Sequence, residues 1–117
     1  MDIRVIGDIR VGKIQPSLTG NPVIDDSLIE NYCKKLKQQI KNLGTLSDVI
    51  GDHFFNPNNP ANDIFLIDRN IMRYIPEDFK IGHKIISINH NDIIRGNVSE
   101  AIQVLSQDHF LNQRKAQ

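Results

Sequence analysis

The sequence predicts an α+β fold, a small mixed or antiparallel sheet packed on one long helix, residues 27–43, and on a second, shorter helix, residues 99–107. Three observations carry this. An apolar pattern with helical spacing runs from Leu28 to Leu43, and short apolar runs at 64–67 and 84–88 are bounded by turn formers. Helical and extended segments also come in groups, without strict alternation, which favours segregated layers over a doubly wound sheet.

Element by element, Ile3, Val5, Ile9 and Val11 alternate with Asp2, Arg4, Asp8 and Arg10. That period of two predicts a half-buried strand or a short hairpin through Ile14, with Gly7 as its turn or bulge. Pro16, Gly20 and Pro22 interrupt any ladder or helix and mark residues 15–23 as a loop. Ser27-Leu28-Ile29-Glu30 reads as a capping box, after which Leu28, Ile29, Tyr32, Cys33, Leu36, Ile40 and Leu43 recur at spacings of three and four, with Gly44 as a stop. The face bearing Leu28, Tyr32, Leu36 and Ile40 is expected to lie on a sheet containing residues 84–88. Thr45-Leu46-Ser47-Asp48 repeats the capping logic and predicts one helical turn before Gly51.

The stretch from Asn56 to Asp63 holds almost only turn formers and two prolines, so it reads as an exposed loop. Ile64-Phe65-Leu66-Ile67 and Lys84-Ile85-Ile86-Ser87-Ile88 follow as strands separated by a turn region at Pro76, and Ile93-Ile94 is a candidate third strand after the Asn89-His90-Asn91-Asp92 turn. Ser99 is placed to cap the last helix, with Val98, Ala101, Ile102 and Leu105 on one side, and residues 113–117 read as a frayed tail.

Length and composition bound the function. A chain of 117 residues, 39% hydrophobic and 24% charged, has the size of one domain (1–117) and enough apolar residues for one core. Lys+Arg and Asp+Glu both total 14, and neither half departs far from balance, so the excess cationic charge that phosphate backbones demand is missing and nucleic acid is disfavoured as a partner. With Cys33 as its one cysteine, the chain forms no internal disulfide and no multi-cysteine zinc site. Met1-Asp2-Ile3-Arg4 lacks the basic start and apolar run of a signal peptide, and no stretch approaches a membrane span, so a cytoplasmic location without membrane contact is expected.

His53, His83, His90 and His109 fall in different segments, without the short fixed spacings of a zinc site, and so predict neither metal nor cofactor. Cys33 lies on the apolar side of the long helix, where cysteine acts as a small hydrophobe. No serine elbow or phosphate loop is present. Catalytic residues are therefore not nominated. Lys34, Lys37 and Lys41, spaced i, i+3, i+7, gather positive charge on one side of the long helix; together with Asp52, His53, Asn58 and Asn59 from the polar loop region they are the expected partner-binding residues.

Within residues 63–107, Ile64-Phe65-Leu66-Ile67, the run from Phe79 to Asn89, and Glu100-Ala101-Ile102-Gln103-Val104-Leu105 resemble the second half of a PDZ domain. That resemblance implies a turn into a strand with an asparagine turn, then a helix bordering a groove in which a peptide adds a strand to a sheet edge. The expected function is non-catalytic protein binding, foremost as a small inhibitor or immunity-type protein that docks on and neutralises a toxin or another effector. The alternatives are a PDZ-like peptide-binding module and a small enzyme using a histidine–aspartate pair, which requires that pair to meet within hydrogen-bond reach in a shared cleft.

Overall fold

Asn21 opens the long helix. Its Oδ1 accepts the N–H groups of Val23 and Ile24 at 3.0 and 3.3 Å, and Pro22 stands at the first helical position, where a missing N–H leaves no bond unmade. The helix therefore runs from Pro22 to Asn42, not over 27–43. Pro22, read as a breaker, is an opener, and Ser27 lies exposed inside the helix. The computed structural model describes residues 2–7, 18–42, 48–52 and 63–107. The end of the expected hairpin at Ile14, the helical turn at Thr45-Leu46-Ser47, most of the Asn/Pro-rich loop and the tail lie outside them.

Four strands, β1 (Ile3–Ile6), β2 (Val49–Asp52), β3 (Ile64–Asp68) and β4 (Lys84–Ile88), form one sheet in the order β2-β1-β3-β4. Every neighbouring pair is parallel, with Ile3 opposite Val49 and Ile64, and Ile64 opposite Lys84. This corrects the mixed or antiparallel sheet expected from sequence. Parallel neighbours need crossover connections, and the crossovers are helical. Besides α1 (Pro22–Asn42), α2 (Arg69–Met72) and α3 (Glu77–Gly82) occupy the region read as a Pro76 turn, while α4 (His90–Arg95) takes in Ile93-Ile94, read as a strand, and α5 (Ser99–Gln107) fits the last expected helix. The sheet thus meets five helices among the described residues, not one long and one short.

The two crossovers lie on opposite faces. A Cβ built on Gly51 would point at Ile29 Cγ2 and Cys33 Sγ of α1, whereas Phe65, one position off in register, meets Phe79 of α3 edge to face at a centroid distance of 5.4 Å. Ile29, Tyr32, Leu36 and Ile40 are the buried side of α1. They face β1, β2, α4 and α5, and so lie on the sheet that contains residues 84–88, as expected, though against its other half. The interior strand β3 is buried along its whole length, as strands covered on both faces are.

Gly96 closes α4 with φ +71°. Its N–H reaches the carbonyls of Asp92 and Ile93, and a Cβ there would come within 2.5 Å of Asn31 Nδ2 on α1. Glycine therefore serves both the left-handed turn and the close approach of α4 to α1.

Candidate functional site

Brought together by the parallel topology, the carboxyl ends of β1, β3 and β4 form one rim. From β1 the chain leaves for α1 on one face, and from β3 for α2 on the other, so the gap between these two strands is the point where the winding reverses. In open parallel sheets such a point leaves a crevice between diverging loops, and ligands bind there.

Asp68, the last residue of β3, is fully buried. Its Oδ1 accepts the N–H of Asn70 at 2.7 Å, which caps α2, and its Oδ2 meets Nδ1 of His90, the first residue of α4. The His90 side chain is 30% exposed, and its Nε2 has no partner among the described residues. A carboxylate on Nδ1 fixes the ring orientation, and in a neutral ring whose proton sits on Nδ1 it leaves Nε2 as the acceptor. A second network braces the same end. Arg69 donates to the Oγ and the carbonyl of Ser87, each at 3.3 Å, and pairs with Glu100 at 3.4 Å, while Glu100 Oε1 accepts the N–H of Asn89 at 3.1 Å.

Sequence reasoning missed Asp68 altogether and left His90 beside Asp92. One signal was present: Asp68-Arg69-Asn70 and Asn89-His90-Asn91 each follow an apolar strand with the same cap pattern, and in both the first side chain accepts the N–H two residues on. Two strands ended by the same device place both caps at one end of a parallel sheet.

A second feature lies along the outer side of β2. Between this strand and α1 runs a groove of about 440 Å³, floored by Ile29, Cys33 and Val49 and bordered by Glu30, Lys34 and Lys37. Burial pushes the Cys33 thiol up to about 12, with the charges of Asp52 and Glu30 adding to it, so the sulfur stays protonated and acts as apolar lining. Lys37 pairs with Asp48 at 2.9 Å, both side chains more than half exposed; that bond, the N–H of Val49 and the lysine charge hold the Asp48 carboxyl below its ordinary range.

Of the expected partner-binding residues, Lys34 and Lys37 line this groove, and Lys41 is exposed in the last turn of α1. Asp52 ends β2 and is turned to Arg4 at 3.1 Å. His53, Asn58 and Asn59 lie outside the described residues. His83 takes a packing position, stacked on Phe79 at a centroid distance of 3.7 Å with Nδ1 against the Phe79 carbonyl. Among the described residues no three His, Cys, Asp or Glu side chains converge as a metal site would require, and no helix is long and apolar enough to cross a membrane. Compared with known proteins, the chain matches no family model, no curated protein and no solved structure.

Proposed function

We propose that the chain acts on a small polar ligand at the carboxyl rim of its sheet, with His90 as the proton-transferring side chain and Asp68 as the carboxylate that orients it. The observation that carries this reading is the bond from fully buried Asp68 to His90 Nδ1, beside the reversal of winding between β1 and β3. In such a pair His90 Nε2 takes a proton from a bound hydroxyl or water, and the Asp68 charge stabilises the imidazolium until the proton is returned. Asp68 also caps α2, so a purely bracing role is the competing outcome.

A screen of small phosphates, carboxylates and amides, followed through the ring signals of His90, separates the two. Ligands that move those signals and lose binding in a folded His90→Gln variant support the proposal. Hits that map elsewhere, hits unaffected by His90→Gln, or no hit at all leave the pair as a brace and overturn it.

A second reading, docking on another protein, is favoured by one observation of its own: Lys34 and Lys37 meet the outer side of β2 in one groove. In this reading the chain is a binding partner, as an inhibitor of a toxin or effector would be. Lys34→Glu with Lys37→Glu should abolish capture of the cognate protein from a lysate, and the same exchange at Lys80, on the opposite face, should not. Equal capture by all three proteins removes the groove from consideration.

A further inference from the structure

We propose that the groove between α1 and β2 receives an extended acidic segment of a partner protein, which joins the sheet as a fifth strand on β2. The inference rests on the docking reading and specifies what docks. Its geometry comes from the direction of the β2 hydrogen bonds. Ile3 donates to the Asp48 carbonyl and Gly7 to the Asp52 carbonyl, so the even-numbered residues of this segment turn their main-chain groups toward β1. In a parallel ladder alternate residues turn theirs the other way. The main-chain groups of Val49 and Gly51 therefore point away from β1, and both residues line the groove.

The Val49 N–H is taken by Asp48 Oδ1 at 2.9 Å. The Val49 carbonyl and both main-chain groups of Gly51 have no partner among the described residues. Three open groups at the middle of an edge are the template on which a guest strand pairs. Any open sheet has edges, and β4 is another. What distinguishes β2 is the concave apolar floor beside it and a border on which two cations, Lys34 and Lys37, outnumber one carboxylate, Glu30. Glycine at 51 lets α1 come close, with Ile29 Cγ2 2.7 Å from where a Cβ would stand, while the residue itself stays exposed.

Charge selects the guest. Lys37 is engaged by Asp48, whereas Lys34 has no ion-pair partner among the described residues. An acidic residue on the guest beside Lys34 completes that pair, and an alternating apolar residue rests on half-buried Cys33.

The test uses a short blocked peptide of alternating valine and aspartate against the whole chain, with a valine–lysine peptide and an N-methylated form of the acidic peptide as controls. The acidic peptide is expected to slow exchange of the Gly51 amide by about tenfold or more and to bind about tenfold better than the basic one. Lys34→Glu should reverse that preference. N-methylation should abolish binding, because it removes the main-chain donors and leaves the side chains in place. If the acidic peptide shifts the Lys34 and Lys37 signals while Gly51 exchange is unchanged, strand addition is wrong and docking survives. If neither responds at saturating peptide, both readings fall.

Discussion

At the scale of single residues, Asp63 shows how this chain buries a charge. It is 3% exposed, and burial pushes its carboxyl up; the Arg4 Nε bond at 2.8 Å and the Asp2 N–H at 2.9 Å act the other way and prevail, so the group is held below its ordinary value. A carboxylate depressed in the folded state contributes stability that is complete above its unfolded value, about 3.9 for aspartate, and is lost as the pH falls through its folded value. Asp63→Asn should therefore cost about 2 kcal/mol near neutral pH, the size of a hydrogen bond to a charged group, and the loss should shrink below about pH 4. Urea melts of both proteins at neutral and acid pH check it; a cost independent of pH would mean that packing, not charge, is what Asp63 supplies. The partner of His90 was hidden for a related reason. Asp92 lies near it in sequence, but Asp68 reaches it only because β3 and β4 end side by side, and that adjacency is a property of strand pairing, which periodicity along one segment does not encode.

Among the elements, α1 was the most legible, and its errors are local. Helical spacing found the buried side correctly at Tyr32, Leu36 and Ile40, because a stripe at three and four depends on the helix alone. The start was misplaced because Pro22 has opposite meanings at the first turn and in the interior of a helix. Strand β2 was missed since Val49-Ile50-Gly51-Asp52 offers two apolar residues and a glycine. Its extended state comes from pairing with β1 and from α1 lying on Gly51, both tertiary effects. Leu36 is fully buried, so Leu36→Ala should destabilise by about 2–5 kcal/mol; a thermal or urea midpoint close to wild type would displace this side chain from the core. Gly96→Ala should cost about 1–3 kcal/mol for the positive φ alone, and Asn31 must also move aside. Asn31→Ala should recover part of that loss in the double variant, and full additivity would deny the contact.

For the whole molecule, the topology was the part that sequence patterns could not supply. The apolar runs at 64–67 and 84–88 were rightly read as extended, yet nothing within either run says which way its neighbour points. The useful sign was the length of chain between strands. No two of them are joined by a hairpin-sized turn, and connections that long allow crossovers and hence parallel pairing. The resulting order β2-β1-β3-β4 ranks the strands by protection. β1 and β3 have a partner on each side, and Val5 and Leu66 are fully buried, so the amides of these central strands should exchange only when the whole chain unfolds. Gly51, whose exposed N–H faces away from β1 without a partner among the described residues, should exchange without any opening, faster by orders of magnitude. Ile50, turned toward β1 in the same strand, should fall between them. Native-state hydrogen exchange resolved by residue measures all three. The ranking follows from pairing and not from helix cover, since α1 lies against β1 and β2 alike. Gly51 as slow as Val5 in the free chain would mean that some segment already pairs with β2, and the place proposed for a guest strand would be taken. Fast exchange at Leu66 would contradict the interior position of β3, and with it the rim at which Asp68 and His90 meet.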